Sequence, residues 1–179
     1  MIFEEKTVSS KVIFEGQIIK LREDQVTVVN GGTSTREIVE HNGGAGAVAI
    51  TDEGKIVLVK QFRKPLDRAV IEIPAGKIEK GEDHLKNITR ELQEETGYSA
   101  KSIKLLTTMH PSVGYCTELL YIYLAEGLTP GENNLDENEA LDVMEVTFEE
   151  ALNMINSGEI TDAKTQVGIL LANNIIKER

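Results

Sequence analysis

The stretch GKIEKGEDHLKNITRELQEETGY, residues 76–98, concentrates carboxylates where an isolated helix is least hospitable to them. Its second half has a helical period. Leu85, Ile88 and Leu92 recur three and four residues apart, Gly81, Glu82 and Asp83 supply a turn and an acidic first turn, and Gly97 stands where a C-terminal cap belongs. Glu91, Glu94 and Glu95 then fall in the last turns. There the helix dipole disfavours each anion by about 0.3–1 kcal/mol, and like-charge repulsion between Glu91 and Glu95, four residues apart, adds about 0.2–0.5 kcal/mol. A solvated acidic helix with Arg90 paired to Glu94 is the bland explanation. A divalent cation is the chemical one, because hard ions such as Mg²⁺ take carboxylate and carbonyl oxygens, and Glu91 and Glu95 share one helix face.

Working outward on the N-terminal side, residues 69–73 read as a strand ended by Pro74, and residues 45–51 and 55–63 as two more, joined by the Asp52-Glu53-Gly54 turn. The glycines of HNGGAGAVAI precede an apolar run; a dinucleotide-binding fingerprint needs the opposite order, strand before glycines and helix after, so a turn entering a buried strand is the reading. Residues 11–41 alternate in short runs around Asn30-Gly31-Gly32 and predict a small antiparallel sheet. On the C-terminal side, strands are expected over 103–110, 118–126 and 143–148, and helices over 149–156 and 161–177, each with an apolar stripe. Strands mixed with a few helices point to an α+β fold or a three-layer α/β/α sandwich.

Composition narrows the functional classes. A net charge of −11 over 179 residues, with no basic run longer than two, offers no electrostatic footprint for nucleic acid. Cys116 is the only cysteine, which excludes an internal disulfide framework and a cysteine-rich zinc site, while His41, His84 and His110 are scattered without ligand spacing. The opening MIFEEKTVSS lacks the layout of a secretory signal and no apolar run approaches membrane-spanning length, so a soluble, cytoplasmic protein without membrane partners is expected.

The pattern of fixed residues carries more. Gly76, Glu82, Arg90-Glu91-Leu92, Glu94-Glu95 and Gly97 resemble the Nudix box at every fixed position, with Tyr98 in place of the usual aliphatic residue. Gln61-Phe62-Arg63 and Ile71-Glu72-Ile73-Pro74-Ala75-Gly76 resemble the ADP-ribose pyrophosphatase subgroup of that family, and so does the run Asp136-Glu137-Asn138-Glu139. The resemblance implies a Nudix-type α/β/α sandwich with a mixed sheet over residues 43–179, preceded by an N-terminal antiparallel extension, 1–42, that exchanges between the subunits of a homodimer. It implies Glu91, Glu95, Glu139 and the carbonyl of Ala75 as ligands of Mg²⁺ or Mn²⁺, Glu94 as an assistant and Glu137 as the general base. Arg90 orients a carboxylate, Arg63 and Glu72 contact substrate, and Arg36 stacks on adenine across the dimer, with Gly114 and Glu118 completing the pattern around the substrate. One position departs from the subgroup: Val113 stands where a proline within Ser-Pro-Gly marks ADP-ribose enzymes.

The expected activity is therefore metal-dependent hydrolysis of a nucleoside diphosphate sugar, ADP-ribose first. The alternatives are another nucleotide sugar or a dinucleotide, and, from a different class, a sensor that binds ADP-ribose without cleaving it. A sensor of that kind would show a broken box or an added DNA-binding domain, and neither is visible here.

Overall fold

A computed structural model describes residues 2–135 and 140–178 and divides them into two units, one comprising the chain up to Gly43 with His110–Leu119, the other Gly44–Met109 and the chain from Leu120 onward. In the first unit the alternating runs become β1 (Thr7–Glu15), β2 (Ile19–Thr27) and β3 (Thr33–His41), an antiparallel sheet in the order β1-β2-β3. The predicted turn at Asn30-Gly31-Gly32 forms: the Gly31 N–H donates to the Val28 carbonyl at 2.9 Å and Gly31 takes φ 81°, which a side chain would resist. The segment 110–119 joins this sheet beside β3, where the Val39 N–H donates to the Tyr115 carbonyl at 2.8 Å and the Thr117 N–H to the Val39 carbonyl at 2.9 Å.

The second unit is built on a seven-stranded mixed sheet. Its strands are β4 (Gly44–Ile50), β5 (Ile56–Arg63), β6 (Arg68–Glu72), β7 (Ala75–Lys77), β8 (Ser99–Met109), β9 (Leu120–Thr129) and β10 (Leu141–Val146). The order is β10-β5-β4-β9-β8, with β6 added to β5 and β7 to β4; β4 and β9 run parallel and the other pairs antiparallel. Among the described residues three α-helices cover the sheet: α1 (His84–Thr96), α2 (Phe148–Asn156) and α3 (Ala163–Lys177). The central strand β4 is buried throughout and its residues alternate between two cores. Ala45, Ala47 and Ala49 meet Ile88 and Leu92 of α1, whereas Val48 and Ile50 belong to the cluster of Ala151 on α2 with Ile169 and Ala172 on α3. This is the α/β/α layering expected. Burying Ile88 and Leu92 contributes about 1.5–3 kcal/mol each, enough to hold α1 despite its crowded carboxylates.

Several boundaries differ from the sequence reading. Asp83 does not lie in an acidic first turn. It is the N-cap of α1, its side chain accepting from the Leu85 and Lys86 N–H groups, and Glu82 precedes the helix. Phe148 opens α2 rather than closing a strand, because Thr147 and Glu150 form a reciprocal capping box. Strand β8 starts at Ser99, two residues beyond the cap glycine, and β9 runs on to Thr129. The short β7 was not anticipated: Pro74 interrupts strand pairing after β6, and the chain resumes it against β4. Among the described residues, no helix is long and apolar enough to cross a membrane.

Candidate active site

Pro74 ends β6 and passes its carbonyl to the Ala47 N–H at 3.0 Å, which turns Ala75 and Gly76 toward α1. The Ala75 N–H then donates to Glu95 Oε2 at 3.0 Å, and Glu95 is only 4% exposed. Gly76 admits Glu91: a Cβ built on that glycine would fall inside the Glu91 carboxylate. The fixed glycine is thus a matter of space, and the strand exit and the helix face close on one another around two carboxylates.

Arg90 organises the remaining ones. Its guanidinium lies 2.6 Å from Glu94, 2.8 Å from Glu91 and 3.3 Å from Glu82. Burial works against its charge, but the hydrogen bond it donates to Glu94 and the field of Glu91, with Glu82 behind them, raise its pKa further above the ordinary arginine value. Glu82 is held below the usual carboxylate range, chiefly by the Glu79 N–H and, against the cost of burial, by Asn87 and Arg90. Asn87 was missed by the sequence reading. It is fully buried and donates to the Lys77 carbonyl at 2.9 Å and to Glu82 Oε2 at 3.0 Å, fastening the loop between β7 and α1 to the helix. The only signal for it is an amide four residues ahead of Glu91, on the face that carries the box acids.

Ala75, Glu82, Arg90, Glu91, Glu94 and Glu95 are therefore brought together. All the acidic donors are oxygens, a set that suits a hard divalent ion rather than a soft one. Glu91 packs where a side chain on Gly76 would otherwise sit, and Glu95 is oriented by a backbone N–H, restraints of the kind a metal ligand needs. Among the described residues no three acidic groups already surround one cation position, and Arg90 takes up Glu82, Glu91 and Glu94 instead. Glu137 and Glu139 lie outside the described residues.

A second constellation sits behind the strand exit. Glu72 is 3% exposed and receives Arg63 in a two-pronged pair, Nε to Oε1 at 2.6 Å and a terminal nitrogen to Oε2 at 2.8 Å. Lys164 of α3 reaches the same carboxylate. Burial pushes the Glu72 pKa up, but Arg63 and Lys164 outweigh it and the net shift is downward. Neither Lys164 nor its neighbours Asp162 and Thr165 stood out in the sequence beyond marking a helix start.

Within the first unit, Arg36 on β3 pairs with Glu5, Nε to Oε2 at 2.9 Å, and also donates to Ser34 Oγ at 3.0 Å and the Thr35 carbonyl at 2.9 Å. Arg36 and Gly114 line one hollow of about 440 Å³ together with Tyr115. Glu118 stands 3.5 Å from His41 Nδ1. The histidines have structural surroundings, His84 stacking on Tyr121 with ring centres 3.9 Å apart.

Residues 40–165 match the family model of the NUDIX domain, and residues 5–39 match that of the nucleoside diphosphate sugar hydrolase N-terminal domain. The chain belongs to the Nudix family and is a Nudix hydrolase. It is 49% identical over 168 residues to an ADP-ribose pyrophosphatase of Bacillus subtilis (strain 168), covering 93% of this chain and 91% of that one. To a methanol dehydrogenase activator of Bacillus methanolicus it is 46% identical over 170 residues, covering 94% and 92%. A solved structure described as an ADP compounds hydrolase shares the fold with a TM-score of 0.88 over 99% of this chain and 97% of its own, at 17% identity.

Proposed function

We propose that the chain hydrolyses the pyrophosphate bond of a nucleoside diphosphate sugar, ADP-ribose in first place, to give AMP and ribose 5-phosphate. The observation that carries this reading is the gathering of Glu91 and Glu95 against Ala75 and Gly76, an oxygen-rich site where a linear order of residues meets in space. Glu91, Glu95, Glu139 and the Ala75 carbonyl would hold Mg²⁺ or Mn²⁺, with Glu94 assisting. Such an ion, when bound, neutralises charge on the pyrophosphate oxygens and leaves phosphorus open to attack. Glu137 takes the proton of the attacking water as its oxygen bonds to phosphorus, and the bridging P–O bond breaks with its electron pair on the leaving phosphate. Arg90 holds the carboxylates in register, Arg63, held by Glu72, faces the substrate phosphates, and Arg36 with Gly114 and Glu118 contributes to adenine and ribose recognition. A homodimer made through the extension of residues 1–42, acting in the cytoplasm, completes the proposal.

A second reading within the class, a different nucleoside diphosphate sugar, is favoured by Val113, which is 84% exposed where the ADP-ribose subgroup carries proline. A panel of ADP-ribose, other nucleotide sugars and dinucleotides, assayed by chromatography with Mg²⁺ or Mn²⁺, separates the two. AMP and ribose 5-phosphate are expected from ADP-ribose, with the rate abolished by exhaustive EDTA and largely lost in Glu95→Gln. Glu137→Gln should lower kcat by about 10²–10⁴-fold, the range for a positioned acid–base group, with little change in metal requirement. Hydrolysis that survives confirmed metal removal, or a Glu137→Gln enzyme with near-native kcat, would sink the corresponding assignment.

A further inference from the structure

We infer that Lys164, in the first turn of α3, is a positioning residue for substrate binding that acts through Glu72 on Arg63. The inference rests on the pyrophosphatase reading above and adds to it a residue far from the box.

Three groups share one buried carboxylate. Arg63 spends Nε and one terminal nitrogen on the two oxygens of Glu72, yet 42% of its side chain stays exposed, so the guanidinium is anchored on one side and open on the other. Lys164 Nζ reaches the same Glu72 Oε2 that accepts from the Arg63 terminal nitrogen, and lies 2.9 Å from Asp162 Oδ2. Asp162 Oδ2 also accepts from the Thr165 N–H at 3.0 Å and the Thr165 hydroxyl at 2.6 Å, and the Thr165 oxygen in turn accepts from the Ile73 N–H at 2.8 Å. One helix turn therefore grips both the Glu72 side chain and the backbone of the next residue, immediately ahead of Pro74-Ala75-Gly76. Arg63, Glu72, Asp162 and Lys164 border a hollow of about 410 Å³.

Charge decides what Lys164 adds. An Arg63–Glu72 pair alone is neutral and has little pull on an anion, because the carboxylate cancels the guanidinium at close range. A second cation on the same carboxylate shares that cancellation and leaves Arg63 with charge to present on its open side. Asp162 Oδ2 is shared between Lys164 and the N-terminus of α3, whose partial positive charge and backbone N–H it caps, so it offsets the Lys164 charge only in part. Lys164 thus makes Arg63 both fixed in orientation and electrostatically available to a phosphate.

The test is a double-mutant cycle on KM and kcat for ADP-ribose, or for whichever nucleotide sugar the wild-type enzyme hydrolyses. Lys164→Met keeps the apolar stem and removes the charge. It should raise KM roughly 10-fold or more at low salt, the size of a lost charged contact, with kcat changed only a few-fold, and Lys164→Arg should restore KM. Lys164→Gln carries the same expectation if the methionine variant does not fold. In an Arg63→Met background, Lys164→Met should add no further rise. A KM within twofold of wild type for the folded Lys164 variants overturns the inference, and so does a rise that is fully additive with Arg63→Met. An Arg63→Met enzyme with unchanged KM also overturns it while leaving pyrophosphate hydrolysis standing; wild-type protein that cleaves none of the diphosphates instead refutes the functional reading itself.

Discussion

At the scale of single residues, Gly76 shows how a motif position acquires its physical reason. The backbone there does not need positive φ; what it needs is the absence of a Cβ, because the Glu91 carboxylate occupies that volume. Gly76→Ala should displace Glu91, the proposed metal ligand, and lower kcat by about 10²-fold or more, as an ångström of misplacement in an active site does, while circular dichroism still reports a folded protein. Near-native kcat in that variant would mean that Glu91 can move without consequence. The fixed glycine, the carboxylates and Arg90 were legible in the sequence as a pattern. Why the glycine is fixed was not, since the volume belongs to a side chain fifteen positions later.

At the scale of the element, α1 is bounded by Asp83 at one end and Gly97 at the other, where the Gly97 N–H returns to the Gln93 carbonyl at 2.8 Å. The cap glycine also admits a second segment. A Cβ on Gly97 would stand 2.6 Å from the Gly131 carbonyl oxygen and 3.0 Å from the Asn133 nitrogen, and the Asn134 N–H donates to the Glu94 carbonyl at 2.9 Å. The helix that carries the box acids thereby anchors the chain just ahead of the second acidic run. Gly97→Ala at φ 76° should cost about 1–2 kcal/mol from left-handed strain alone, more with the close approach, and is read as a lowered urea midpoint. A midpoint equal to wild type would show that the helix end and the 131–134 segment yield together. The cap was recognisable from Gly97 and its neighbours; the docking of 131–134 onto it was not, because nothing local in either segment names the other.

At the scale of the whole molecule, β1 is exposed along its entire length and carries Val8, Val12 and Phe14 at the surface, with Ile13 between them. An unpaired, apolar edge of this kind favours association, and a second copy is the partner the proposed homodimer requires. Light scattering at micromolar concentration should give the mass of two chains, and Val12→Glu with Phe14→Glu should reduce it to one with loss of activity. A fully active wild-type monomer would remove the dimer from the proposal.

What the sequence determined by itself was the set of local structures: the box helix and its cap, the Asn30-Gly31-Gly32 turn, the buried β4 and the α/β class. Each follows from periodicity and capping within a dozen residues, where backbone geometry repeats regardless of what surrounds it. The same locality explains the boundary errors, as at Phe148, where a capping box competed with a strand pattern. Only the tertiary structure decided the parallel pairing of β4 with β9, the return of Pro74 into β7, and the joining of Lys164 to Glu72 and Thr165 to Ile73. Those last two contacts each span 92 positions, and a hydrogen bond over that separation leaves no spacing to read: it exists because the core on one face of the sheet, where Ile169 and Ala172 of α3 cluster with Ile71 and Ile73, brings α3 against the end of β6.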